Sequence, residues 1–263
     1  MAVAAAERTE AARHLIDRAQ ADVVDLVVVS AIHLCVLGGP RHPLFDESVS
    51  RAWMKLGNRQ RKKFIEYATE SMVERGLLID SDSRTDFHQH SGTYSLQPEL
   101  GLMLAARCRP TFIIATETTV RNIRTPRFFA LGDQAEPVRG VVMEFPAVLP
   151  RESADDSPPL RHLGPLGWLY RYVLMSRDEA ATVLAKLVIS PPRVSSEVVP
   201  GAYVVSAFRH YDGQNSPGYR LSVQGDGTKA RLDGPGPGDQ AGAEYDVEGL
   251  RTVMADLITR LSR

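Results

Sequence analysis

Two histidines one residue apart, His88 and His90 in "RTDFHQHSGTYSL" (Arg84 to Leu96), are the first residues here whose type and spacing could do chemistry. A strand turns alternate side chains to one face, so both imidazoles can point the same way. Two such imidazoles begin a zinc site, but a catalytic zinc needs a third protein ligand and an open position. The other histidines, His14, His33, His42, His162 and His210, stand in no HExxH or CxxC frame. Turn residues flank the pair on both sides. It reads as the solvated tip of a hairpin, and neither metal nor cofactor is expected.

A basic cluster comes next: Arg59, Arg61, Lys62 and Lys63, extended backwards by Arg51 and Lys55, with no acid between Ser50 and Phe64. Positive charge at a helix start opposes the macrodipole, so a sequence that keeps it there has a use for it or leaves it to solvent. On a winged helix these side chains would begin the helix that enters the major groove, with Arg84 on the wing. On a protein-binding surface they would meet a partner's acids. A third group, Trp168, Tyr170 and Tyr172 in "WLYRY", alternates on one strand face, either packed in the core or offered to a partner. No GxSxG, phosphate loop or GxGxxG occurs. Asp155-Asp156 lies in a Ser/Pro loop. No catalytic set stands out, and the chain is not expected to be an enzyme.

The 263 residues carry a net charge of −1, with 43% hydrophobic and 24% charged residues. That suits a soluble globular chain with ample core and no chain-wide field for nucleic acid or membrane. Residues 1–110 hold 14 basic and 14 acidic residues, so any charge-driven binding must be local. Cys35 and Cys108 each sit alone in an apolar helical pattern, which points to a reducing compartment and to packing. The Ala-rich N-terminus is broken by Glu7, Arg8 and Glu10 and has no signal-peptide core. The longest apolar run, 23–37, contains Asp25 and His33 and is too short and polar to span a bilayer. A cytoplasmic location is expected.

The elements that must position these groups follow from periodicity. Helices are predicted over 5–20, 22–37 (with a strand as the rival over 23–29), a short stretch after Asp46, and "RQRKKFIEYATESMVERG". In the last, Phe64, Ile65, Ala68, Met72 and Val73 share a face, and Gly76 ends it. Short strands at 77–80 and 93–97 flank the HQH tip, and Pro98 opens another helix. Helices followed by a two-stranded hairpin is the winged-helix order. From 111 onward β-branched and aromatic runs predict strands over 111–120, 127–133, 140–148, 166–175, 202–211, 219–224 and after "GDG". Helices are predicted over 176–190, with Ser176 and Glu179 as a capping box, and 246–262. A loop covers 151–165 and a linker 191–201.

The two late helices align. Ser176 falls on Asp246, Thr182-Val183-Leu184-Ala185 on Thr252-Val253-Met254-Ala255, and Leu187 on Leu257. Both follow strands, so 111–190 and 201–263 read as two copies of strands-then-helix. The expected fold is α+β: an N-terminal helical, winged-helix-like region over 1–110, then 111–263 as an antiparallel sheet with helices on one face.

This organisation, with "MVERGLL", "LQPELGLMLAARCRP" and the close "GYRLSVQGDG…VEGLRTVMADLITRL", resembles the EspG-type proteins associated with type VII (ESX) secretion in actinobacteria. The resemblance covers roughly residues 60–263 and is one of topology. It implies a pseudo-two-fold fold, a cytosolic location, no catalysis, and chaperone- or adaptor-like binding of a small helical secreted protein. It carries no binding residues onto this chain. The alternatives are a winged-helix DNA-binding regulator with a C-terminal sensing domain, and an enzyme whose site residues are dispersed along the chain.

Overall fold

The computed structural model describes residues 2–38, 46–80, 94–120, 123–131, 138–147, 160–194, 197–199, 201–211, 214–215, 218–234 and 242–262. The first half holds α1 (Ala2–Arg18), β1 (Val24–Ser30), α2 (Ala31–Gly38), α3 (Glu47–Met54), α4 (Asn58–Glu74), β2 (Leu78–Asp80), β3 (Tyr94–Leu96) and α5 (Pro98–Cys108). Then come β4 (Phe112–Thr118), β5 (Arg127–Leu131), β6 (Gly140–Ala147), a 3-10 segment (Leu160–Gly167), β7 (Leu169–Met175) and α6 (Arg177–Ile189). The remainder is β8 (Arg193–Val194), β9 (Glu197–Val198), β10 (Tyr203–Tyr211), β11 (Gln214–Asn215), β12 (Tyr219–Gly225), β13 (Lys229–Asp233), β14 (Glu244–Asp246) and α7 (Val247–Leu261).

The chain is mixed α+β, with a large antiparallel sheet whose main path has nine strands. Two compact units divide it. The first comprises 1–15, 26–108 and 147–171; the second comprises 16–25, 109–146 and 172–263. One change of unit falls at Cys108–Arg109, while 16–25 and 147–171 each belong with residues distant in sequence.

The helix expected over 22–37 forms only from Ala31 as the short α2, and the rival strand over 23–29 is present as β1 directly before it. Val24, Val27, Val28 and Val29 are β-branched and stiff at χ1, which disfavours helix and suits a pleated strand. The helix starts where that run ends. At the junction the Ala31 N–H donates to the Trp168 carbonyl at 2.7 Å.

In the first unit α2 packs against α4 and α5. Ile32, Leu34, Ala68, Met72, Leu100 and Met103 are buried there. Each fully buried large apolar side chain contributes about 1.5–3 kcal/mol. Helix α4 begins after Gly57, whose N–H donates to the Gln60 Oε1 at 3.4 Å. It ends in a left-handed Gly76, φ 67. There the Leu77 N–H reaches the Met72 carbonyl at 2.8 Å, and the Gly76 N–H reaches Val73 at 2.9 Å. These bonds satisfy the last carbonyls, and Leu77 and Met72 are both buried, as this C-terminal motif favours. The chain runs straight into β2, which pairs antiparallel with β3 as a separate two-stranded sheet.

The second unit contains the sheet order β7-β6-β5-β4-β10-β12-β13-β14, with residues 172–175 of β7 in this unit. Strands β12 and β13 alternate buried and exposed residues, so one face is covered and the other is wet. The covered face holds Val205, Leu221, Val223 and Leu232 in one core with residues of α6 and α7, which pack side by side. Ser176 caps α6, its Oγ accepting from the Glu179 N–H at 3.2 Å; Asp246 caps α7, its carboxylate accepting from the Gly249 N–H at 2.8 Å. At Gly225 a Cβ would lie 1.9 Å from the Ile189 carbonyl oxygen. Only glycine lets the end of β12 come this close to the end of α6.

Beyond the predicted elements, β8 and β9 pair within the expected linker, and β14 extends the sheet before α7. Strand β7 starts at Leu169, and part of the expected loop before it is the 3-10 segment.

Candidate partner surface

Arg59, Arg61, Lys62 and Lys63 all fall in the first turns of α4, as the sequence pattern predicts. The structure separates one of them from the rest. Arg61 lies with its guanidinium 5.8 Å from the Trp53 ring centre and donates from Nη2 to the Leu56 carbonyl at 3.2 Å. It fastens the end of α3 to the start of α4, and its Nε is buried without a hydrogen-bond partner among the described residues. Arg59, Lys62 and Lys63 are exposed. Lys62 lies 3.8 Å from Glu66, and no acid sits in the first turn to answer the macrodipole.

The apolar face predicted for α4 is mostly in place. Ala68 and Met72 are buried, and Phe64 and Val73 are half-buried. Ile65 is 41% exposed and departs from that face. It lies one residue past Phe64, about 100° further round the helix.

The three rings of "WLYRY" do not form one exposed aromatic face. Tyr170 and Tyr172 are only 3% and 0% exposed, so neither ring presents itself to a partner. Their polar tips have taken carboxylates instead: Tyr170 donates to Asp46 and Tyr172 to Glu144, both at 2.5 Å. A buried phenol needs such an acceptor, and this decides which way each ring points. Trp168 is half-buried just before β7.

Arg84, His88 and His90 lie outside the described residues, and so does the tip of the hairpin that they occupy. Among the described residues no group of three His, Cys, Asp or Glu could hold a metal ion.

One pair of catalytic type was missed in the sequence. Ser30 Oγ and His33 Nδ1 are 3.0 Å apart at the start of α2. The Ser30 N–H also donates to Nδ1 at 3.1 Å, which makes Nδ1 an acceptor and places the neutral ring's proton on Nε2. Nε2 is buried with no hydrogen-bond partner among the described residues. Burial, then the nearby Arg75 charge, pulls the imidazole pKa down to about 4. Ser30 and His33 are 1% and 3% exposed, so no substrate reaches them in this conformation. Cys35 is equally unreactive: burial pushes its thiol up to about 12, against a smaller opposing pull from Arg107. Cys35 and Cys108 are both free thiols.

No helix among the described residues is long and apolar enough to cross a membrane. No protein-family model matches the chain, and no curated protein sequence matches it.

Proposed function

We propose that this chain is a non-enzymatic, cytoplasmic protein-binding protein, an adaptor or chaperone of the EspG type that holds a small helical secreted protein before export by a type VII (ESX) system. The observation that carries the reading is the strand order. β4 to β7 run as one meander leading to α6, and β10, β12, β13 and β14 run as a second leading to α7. The two meanders meet at their first strands, β4 and β10, which pair antiparallel. An antiparallel junction between two like units is what a pseudo-two-fold arrangement requires.

The late helices support the repeat in detail. Their caps align, Ser176 with Asp246. Thr182 bonds back to the Asp178 carbonyl at 2.9 Å, and Thr252 to the Glu248 carbonyl at 3.0 Å. Buried Ala180, Leu184 and Val188 align with buried Leu250, Met254 and Ile258.

The N-terminal region is read as winged-helix-like on the order α3, α4, β2, β3. DNA binding is the runner-up function. It ranks second because Arg61 is already engaged by Trp53 and Leu56, and the acids of α4 share the exposed surface with its bases.

The test is purification of the tagged full-length chain from its native host under mild conditions. The proposal expects one small, helix-rich protein in fixed stoichiometry, identified by mass spectrometry. Recovery of the chain with ribosomal contaminants alone overturns it.

A further inference from the structure

The exposed side of α4 carries a blocked charge pattern in which, among the described residues, Glu66 has one ion pair, with Lys62 of the same helix. Arg59, Lys63, Glu66, Glu70 and Glu74 recur at spacings of three and four, so they form one stripe along the helix. All five are exposed, on the side away from buried Ala68 and Met72. The stripe is basic at the helix start and acidic towards its end, with no acid in the first turn and no base in the last. Both ends therefore oppose the macrodipole. Within the stripe, Arg59–Lys63, Glu66–Glu70 and Glu70–Glu74 are like-charge neighbours four residues apart, which also destabilises an isolated helix. Lys62–Glu66, the i,i+3 pair Lys63–Glu66 and the C-cap Arg75 offset these penalties only in part.

The penalties reverse against an antiparallel copy of the same helix. We propose that α4 is the self-complementary face of a two-fold dimer, docking on α4 of a second copy of this chain. Arg59 lies as far before Glu66 as Glu74 lies after Tyr67, and Lys63 as far before Glu66 as Glu70 after Tyr67. One axis between Glu66 and Tyr67 thus brings Arg59 to Glu74 of the partner subunit and Lys63 to Glu70 of the partner subunit, each twice by symmetry. Lys62, already beside Glu66, offsets the acid nearest the axis. Ile65, 41% exposed, and partly buried Tyr67 lie about 100° to either side of Glu66 and border the stripe, so its middle is charged and its edges apolar. Exposed ion pairs are individually weak, so the dimer is salt-sensitive and forms at high protein concentration. The inference does not rest on the proposed function.

Sedimentation of the full chain across a wide concentration range, at low and at high salt, tests it. Wild type is expected to dimerise, and less so at high salt. Arg59→Glu/Lys63→Glu and Glu70→Lys/Glu74→Lys should each weaken self-association by roughly tenfold or more. An equimolar mixture of the two variants should dimerise again, because each supplies the charge that the other lacks. The Arg59→Glu/Lys63→Glu variant should also melt close to wild type, since residue 59 places an acid in the first turn and removes a base from it. Lost association in that variant is then not unfolding. Wild type that stays monomeric throughout, a dimer indifferent to both reversals, or a mixture that stays monomeric each overturns the proposal.

Discussion

The Tyr172 hydroxyl donates to Oε2 of Glu144 at 2.5 Å, while Arg127 Nη1 lies 2.9 Å from Oε1 of the same carboxylate. Arg127 and Glu144 are directly opposed in the β5–β6 register, and Glu144 is 2% exposed. A buried carboxylate tolerates its setting only while such donors surround it. Tyr172→Phe removes one neutral donor and should cost about 1–3 kcal/mol. Arg127→Met removes the compensating charge and should cost more, about 3 kcal/mol, the low end for a broken buried pair because Arg127 is partly exposed. Urea unfolding of the two variants ranks them, and Arg127→Met proving no worse than Tyr172→Phe contradicts this reading.

His33 makes stability depend on pH. Its pKa is about 4 in the folded chain against 6.5 ordinarily, so between those values the unfolded state binds more protons. Stability is therefore complete above pH 6.5, falls as pH drops towards 4, and the loss from this group levels off below that. The loss is on the order of 3 kcal/mol at most. Unfolding free energies at several pH values should show a shallower slope in His33→Leu than in wild type across that window. Equal slopes would remove His33 as the cause.

The caps of α6 and α7 are matched in position and should be matched in energy. Ser176→Ala and Asp246→Ala each lose an acceptor for one helix-start N–H, a change worth about 1 kcal/mol. Thermal melts of both variants check this. A variant that melts like wild type shows that its cap bond contributes nothing.

Much of this was legible in the sequence. Ser176 and Glu179 marked a helix start because capping is local chemistry, and Gly76 marked a helix end for the same reason; the Asp246 cap of α7 emerged from the structure. The β1–α2 junction was not legible, since no Gly or Pro separates Ser30 from Ala31 and the boundary is held by a bond from Ala31 to distant Trp168. The alternation of Tyr170 and Tyr172 showed a strand, but the residues from Tyr172 to Met175 are all buried, which alternation cannot reveal. Arg127 and Glu144 stand 17 apart, and only the sheet register pairs them. The charge stripe of α4 was readable by spacing alone. It was missed because the basic cluster was weighed without the acids that follow it.

Arg61 separates a structural role from a DNA-reading one. Arg61→Ala loses the Trp53 stacking and the Leu56 bond, and should lower stability by about 1 kcal/mol. Random duplex DNA at low salt should bind neither wild type nor this variant in a fluorescence-anisotropy titration. Salt-sensitive duplex binding that weakens when Arg59, Lys62 and Lys63 become Ala would favour the regulator reading.

The most direct test of the adaptor reading uses the small protein recovered with the native chain. Diluted alone from denaturant, that protein should aggregate by light scattering. With an equimolar amount of this chain present it should stay in solution as a defined complex. Aggregation at the same rate with and without the chain would contradict the proposed function.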